Sequence, residues 1–268
     1  MRTLQDTKPI WHALIWIGIY ILAVNLGDNV GAMLDFPELT SLVLVAVSAV
    51  LIVYLRGGGR LSAYGVRLVQ PGTPPLTLFY APLFAIAFLE YAKGFAPDLD
   101  LQIILYAILL MAAVGFIEEL LFRGFLLQAL RTRGNLNRAI LISGVTFGLG
   151  HIVNLLRGYS LTDQALQLVV AVLVGIALAY CVALTGSIMP GVAFHILFNI
   201  SGTITAHSVL WDSVTAGIIA VVMIPYILFL RHSLTKAGAA IVTIPASTAA
   251  AQMDVTATPT TRTKRGAP

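Results

Sequence analysis

Eight apolar segments follow one another along the chain, and each is close to the length that crosses a lipid bilayer. A spanning helix needs about 20 mostly apolar residues, since no backbone polar group can stay unpaired in hydrocarbon. Only 10% of the residues are charged and 58% are hydrophobic, whereas soluble domains carry about 25% charged residues. The pattern predicts an all-α, polytopic transmembrane helical bundle of about eight spans. The segments are 10–27, 39–55, 76–92, 101–130, 139–156, 166–184, 187–204 and 214–230.

Basic residues are concentrated in alternate connections between these segments. The connection after the second segment holds Arg56, Arg60 and Arg67, whereas the one before it holds only acidic residues. Cytoplasmic loops of membrane proteins are enriched in lysine and arginine. With eight spans, this rule predicts that both termini are cytoplasmic.

Composition divides the chain into three parts. Residues 1–75 form N-terminal transmembrane helices and a basic cytoplasmic loop. Residues 76–235 form a transmembrane core that has polar residues within its apolar segments. Residues 236–268 are rich in Ala, Thr and Pro, a composition that buries too little apolar surface to fold, so we expect a disordered tail. The net charge of +4 reflects membrane topology, and the expected partners are lipids and no nucleic acid. The single cysteine, Cys181, is interpreted as core filler.

Six polar side chains interrupt the apolar segments and are the candidate site residues. A carboxylate within a bilayer costs several kcal/mol, so ionisable groups there are rare and usually functional. Three such segments carry groups capable of acid–base chemistry, which predicts a polar cavity and an active site within the membrane. The six residues are Glu118, Glu119, Arg123, His151, His195 and Asn199.

Helical spacing suggests a division of roles within the glutamate pair. Glu119 and Arg123 are four residues apart, so they share a helix face and are expected to form an ion pair. Glu118 points about 100° away and has no partner from its own helix. A carboxylate in that position suits a general base. We therefore expect Glu118 to do the chemistry and the other two residues to support it.

Histidines and glycines mark the other two polar segments. Phe147 and His151 share one helix face, and His195 and Asn199 share another. Gly144, Gly148 and Gly150 are expected to permit close approach of a neighbouring helix.

Together these residues form three short motifs on separate apolar segments. The motifs are EExxxR at 118–123, FxxxH at 147–151 and HxxxN at 195–199. In this order, the sequence resembles the CPBP family of intramembrane proteases, the CAAX protease and bacteriocin-processing family. That family includes the type II CAAX prenyl endopeptidases. The resemblance covers about residues 76–204.

The resemblance implies a helical fold around a water-accessible cavity, and it implies hydrolysis of peptide bonds. Carried over to this sequence, Glu118 activates water, and His151 helps to hold that water. His195 and Asn199 stabilise the oxyanion of the tetrahedral intermediate, and Glu119 and Arg123 hold the helix in place. The substrate is a membrane-associated peptide or protein, with or without a prenyl group, and bacterial relatives suggest a multi-pass protein of a bacterial cell membrane.

Alternatives for cofactor and function stay open from the sequence. Glu118, His151 and His195 are also a conceivable three-ligand zinc site. The chain lacks a His-Glu-x-x-His helix, so we expect no cofactor and a water activated by glutamate alone. A non-catalytic scaffold or bacteriocin-immunity protein is the main functional alternative. A proton-coupled carrier is another, although no inverted repeat is visible.

Overall fold

The computed structural model describes residues 1–69, 76–132 and 134–237. Residues 238–268, which make up most of the tail expected to be disordered, lie outside the described residues. Within the described part, α-helices in chain order form one bundle. They are α1 (Arg2–Thr7), α2 (Pro9–Met33), α3 (Leu39–Arg56), α4 (Leu76–Ala87), α5 (Leu101–Glu119), α6 (Leu127–Arg131), α7 (Leu136–Gly150), α8 (Leu161–Thr185), α9 (Met189–Ile204) and α10 (Val209–Ala237).

Six helical stretches of the described residues are long and apolar enough to cross a membrane. The longest, Leu101–Arg131, joins α5 and α6 through a π-helix at Leu120–Leu126. The all-helical, polytopic fold predicted from the sequence is thereby confirmed, and the chain is an integral membrane protein. The other five stretches are Pro9–Met33, Leu39–Arg56, Leu136–Leu155, Leu161–Thr185 and Val209–Ala237.

The two remaining predicted segments form shorter helices. Helix α4 has 12 residues with Pro82 inside it, and the chain then continues as a 3₁₀ helix at Leu89–Lys93. Proline lacks a backbone N–H and disfavours the helical turn before it, which weakens a long helix here. Helix α9 has 16 residues and carries Pro190 in its first turn, where the missing N–H has no cost.

The basic connections lie at one end of the bundle, which we call the basic end. Helix α1 lies there against the segment that follows α3, because Asp6 pairs with Arg60 at 2.7 Å. The same segment contacts the turn between α8 and α9, where Arg67 Nε donates a hydrogen bond to the Gly186 carbonyl at 2.9 Å. The predicted basic connections therefore meet at one end of the structure.

The connections that alternate with the basic ones lie at the opposite end, which we call the acidic end. Lys93, after α4, pairs with Asp212 in the first turn of α10 at 2.7 Å. Gln102, at the start of α5, donates a hydrogen bond to Glu38 at 3.1 Å. A single antiparallel bridge joins Phe95 to Thr205. Connections thus alternate between the two ends, as the charge pattern predicts.

Close packing of α7 against the deeply buried α8 depends on glycine. A Cβ on Gly144 would lie 2.6 Å from the Ile176 backbone nitrogen, and one on Gly148 would lie 2.9 Å from that of Val172. Real Cβ atoms essentially never come so near, so only glycine fits at these two positions. The expectation was wrong for Gly150, where a Cβ would meet only Phe122 Cζ at an ordinary 3.7 Å.

Candidate active site

A π-helix follows directly on the glutamate pair and was not predicted from the sequence. All seven residues of Leu120–Leu126 are buried. The Leu127 N–H bonds to the Phe122 carbonyl five residues earlier, and Ser143 Oγ on α7 donates to the same oxygen at 2.8 Å. Such widened turns are rare and often lie at functional sites. Here the widened turn and its hydroxyl support fix the segment that carries Arg123.

Glu119 and Arg123 form the ion pair expected from their spacing. Arg123 Nη1 lies 2.9 Å from Glu119 Oε1, and both side chains are fully buried. The two groups are close without the alignment of a hydrogen bond, since Nη1 has no hydrogen-bond partner among the described residues. Arg123 Nη2 donates instead to the Gly175 carbonyl of α8 at 3.2 Å. The guanidinium also lies 4.2 Å from the centre of the Phe147 ring, a cation–π distance.

His195 on α9 connects the two glutamates. Its Nδ1 lies 3.3 Å from Glu119 Oε1, and its Nε2 lies 3.3 Å from Glu118 Oε2. The adjacent carboxylates point in different directions, as helical spacing predicts, yet they reach opposite edges of one imidazole ring. The Nδ1 contact with Glu119 has hydrogen-bond geometry, whereas the Nε2 contact with Glu118 is a close approach without it.

Glu118 also contacts a helix outside the region of the motifs. The Tyr20 hydroxyl, on α2, donates to Glu118 Oε1 at 2.7 Å. The other oxygen, Oε2, forms no hydrogen bond with the described residues. This oxygen is buried, lies 3.3 Å from His195 Nε2, and keeps the capacity to accept a hydrogen bond.

Sequence reasoning missed Tyr20, although a signal for it exists. His12, Trp16 and Tyr20 lie at intervals of four residues, and all three are buried. Such a stripe of polar aromatic residues on one face of a spanning helix marks a face turned toward polar neighbours.

Phe147 lies at the centre of the cluster. Its ring meets those of Phe122, His151 and His195 edge-on, at centroid distances of 5.2, 4.9 and 5.6 Å. His151 Nδ1 lies 3.1 Å from the Phe147 carbonyl oxygen. A carbonyl only accepts hydrogen bonds, so Nδ1 is the donor in this contact, and Nε2 is the acceptor of the neutral ring.

A cavity of about 760 Å³ adjoins the cluster. Its wall includes Glu118, His151 and Asn199 together with Tyr20 and Phe147. The sequence predicts a cavity beside these residues, and three of the six predicted residues border this one. The remaining predicted residues, Glu119, Arg123 and His195, do not belong to the lining of this cavity among the described residues, and they pack behind Glu118.

The six predicted residues are thus arranged in two ways. Glu118, Glu119, Arg123 and His195 form one chain of direct contacts. His151 joins it through the Phe147 ring, whereas Asn199 shares the cavity wall without a side-chain hydrogen bond to the other five in the described part of the chain. Asn199 is half-buried, which leaves its carboxamide facing the space where a substrate would bind.

A catalytic zinc site needs three donor side chains arranged around one point. In residues 1–69, 76–132 and 134–237, no group of three His, Cys, Asp or Glu side chains is placed to hold a metal ion. The expected absence of a cofactor stays a prediction.

Comparison with known families agrees with the motifs. Residues 100–201 match the family model described as type II CAAX prenyl endopeptidase Rce1-like. The match contains all three motifs and supports the resemblance to the CPBP family over this region. No curated protein matches the chain.

Proposed function

We propose that this integral membrane protein, with its CAAX-protease-like domain, is an endopeptidase whose Glu118 activates a water molecule. The substrate is a membrane-associated peptide or protein whose scissile bond enters the cavity beside Glu118. The single observation that carries the proposal is the position of Glu118. Glu118 lines the cavity, one of its oxygens accepts a hydrogen bond from Tyr20, and the other lies 3.3 Å from His195 Nε2.

The reaction needs one base that later acts as an acid. Glu118 Oε2 takes a proton from water as the water oxygen attacks the peptide carbonyl carbon. The tetrahedral intermediate then collapses, the C–N bond breaks, and Glu118 returns the proton to the leaving amine. General acid–base catalysis of this kind contributes about 10²- to 10⁴-fold to the rate. His151 Nε2, an acceptor on the cavity wall, supports the attacking water.

The developing oxyanion needs donors in the same space. Asn199 lines the cavity, and we assign the second donor role to His195 Nε2, which lies 3.3 Å from Glu118 Oε2. Fixed donors aimed at such a charge act strongly in a site that excludes bulk water, and the loss of one costs about 10²- to 10³-fold in kcat. Glu119 and Arg123 position His195 and take no direct part.

Cleavage of a quenched peptide library by purified protein in liposomes tests the proposal. The library includes prenylated and unmodified peptides, and wild type is compared with Glu118→Gln and Glu119→Gln, each with and without chelator. We expect turnover by wild type that chelator leaves unchanged and that Glu118→Gln abolishes. Circular dichroism and thermal unfolding confirm that each variant is folded.

The same experiment separates the alternatives. Activity lost with chelator and restored by zinc would assign Glu118 and the histidines to a metal site. Peptide binding without turnover by folded wild type would favour a scaffold or immunity protein.

A further inference from the structure

Among the described residues, the cavity beside Glu118 extends toward one end of the bundle. At depth its wall consists of residues near the site, such as Tyr20 and Phe122. Farther out, the wall is formed by residues from the connections of the acidic end. These are Glu90 and Lys93 after α4, Tyr159 before α8 and Asp163 in its first turn, and His207 before α10 and Asp212 in its first turn.

Charged side chains border this outer part of the cavity. Lys93 pairs with both Glu90 and Asp212, and Asp212 also contacts the exposed His207 ring at 3.0 Å. Burial lowers the pKa of Lys93, but its hydrogen bonds to the two carboxylates outweigh this and raise the pKa above its ordinary value. The outer part of the cavity is therefore bordered by a cluster of paired charged side chains.

The opposite end of the bundle is closed by packed and hydrogen-bonded side chains. Below the site, the His12 ring lies 4.8 Å from that of Phe125, and Trp16 Nε1 donates to His12 Nε2 at 3.1 Å. Tyr54 contacts the same histidine nitrogen at 3.2 Å. The Tyr54 hydroxyl also donates to Gln5 Oε1 at 2.9 Å, which ties α1 across this end.

The connections of the basic end complete the closure. The Ile188 N–H donates to the Gly65 carbonyl at 2.9 Å, and Ser187 Oγ donates to the Arg67 carbonyl at 2.5 Å. Gly65 has φ +79°, and a Cβ there would lie 2.9 Å from the Ile188 side chain. The cavity lining in the described residues includes none of these groups. Among the described residues, a substrate therefore has a route to Glu118 from the acidic end, and these contacts close the basic end.

Charge assigns the two ends to the two sides of the membrane. The connections and flanking residues of the basic end, including the N-terminal segment and Arg231–Lys236, carry ten basic residues and one acidic residue, Asp6. Those of the acidic end carry two basic residues and eight acidic residues. Short loops rich in lysine and arginine stay in the cytoplasm. The basic end is therefore cytoplasmic, and the mouth of the cavity faces the other side.

We propose that the substrate of this protease reaches Glu118 from the extracytoplasmic side of the membrane. That the protein has a substrate rests on the proposed function, whereas the access side follows from packing and charge alone. Prenyl groups are attached to protein C-termini in the cytoplasm, where this chain presents its closed end. The substrate class is therefore a peptide, or a segment of a membrane-anchored protein, that lies at the extracytoplasmic leaflet.

Cysteine labelling in intact cells tests the access side without any need for turnover. Cys181 is fully buried and is replaced by alanine to give a background without thiols. Into it we place His207→Cys, at a side chain 71% exposed beside the mouth, or Gly58→Cys, at an exposed position of the basic end whose Cβ would have only ordinary contacts. A membrane-impermeant maleimide is applied before and after permeabilisation, and labelling in SDS confirms that each thiol is reactive.

We expect the His207→Cys thiol to react in intact cells and the Gly58→Cys thiol to react only after permeabilisation. The reverse pattern, or labelling of both thiols in intact cells, would overturn the proposal and return cytoplasmic prenylated substrates to consideration. A His207→Cys thiol that reacts only in SDS would also overturn it, because the mouth would then be closed.

Proteoliposomes link the access side to activity. The labelling pattern gives the fraction of molecules with the mouth outward, and cleavage of an added peptide is expected to scale with that fraction. Cleavage that scales with the opposite fraction would contradict the proposal. No cleavage in any orientation would count against the proposed function, while the labelling result would still decide the access side.

Discussion

Replacement of Arg123 by methionine is expected to destabilise the protein more than it impairs chemistry in the molecules that remain folded. Methionine keeps much of the volume of the side chain and removes its charge. Three interactions are lost together: the ion pair with Glu119, the hydrogen bond to the Gly175 carbonyl and the contact with the Phe147 ring. The carboxylate of Glu119 then stays buried with only His195 beside it.

The magnitude follows from burial. Breaking a buried ion pair by removing one partner costs about 3–5 kcal/mol, because the other charge is left without compensation. For a chain of this size, that corresponds to a fall of roughly 6–20 °C in the unfolding temperature. The matched control is Arg60→Met, which breaks the pair with Asp6, whose side chain is 55% exposed. Exposed pairs contribute about 0–1 kcal/mol, so the control is expected to change little.

Thermal unfolding in detergent, followed by circular dichroism, measures both variants. The double variant Glu119→Gln/Arg123→Met removes both charges and is expected to recover part of the loss, since no unpaired charge then remains. Arg123→Met with the unfolding temperature of wild type, or of the Arg60→Met control, would refute the assignment of this pair to structural support.

Three further predictions concern the site and its packing. Glu118→Gln should keep the unfolding temperature of wild type, since the amide oxygen still accepts a hydrogen bond from Tyr20. Its kcat should fall about 10²- to 10⁴-fold, and retained peptide cleavage would contradict the role of Glu118 as the base. Tyr20→Phe removes the hydrogen bond to the Glu118 carboxylate, and we expect kcat to fall about 10- to 100-fold while the protein stays folded. Unchanged kinetics would contradict a role of Tyr20 in holding Glu118. Gly144→Ala places a Cβ 2.6 Å from the Ile176 nitrogen and should cost about 1–3 kcal/mol in stability, whereas Gly217→Ala, with no atom within 4 Å, should not destabilise α10.

The sequence predicts those features that depend on local spacing. Hydrophobic length gives the spanning helices, and the alternation of charged loops gives the two ends of the bundle. The interval of four residues gives the contact between Glu119 and Arg123. These features need only the geometry of a helix and the energetics of burial, so a single chain is enough to derive them.

Features that depend on contacts between distant helices were not predicted. Tyr20 lies 98 residues from Glu118, and nothing in either segment specifies that they meet. The π-helix depends on support from Ser143 on another helix. The bridging position of His195 between two adjacent carboxylates requires α9 to pack across α5, at Gly115, where a Cβ would lie 3.0 Å from Ile196. Each depends on tertiary packing.

The most direct test of the central claim is peptide cleavage in water enriched in ¹⁸O, with the products weighed by mass spectrometry. Purified wild type and Glu118→Gln are compared in liposomes with chelator present throughout. Our account predicts that wild type releases a new carboxyl terminus carrying ¹⁸O and that Glu118→Gln releases none while it remains folded. Cleavage by Glu118→Gln at the rate of wild type would contradict the claim that this carboxylate activates the water.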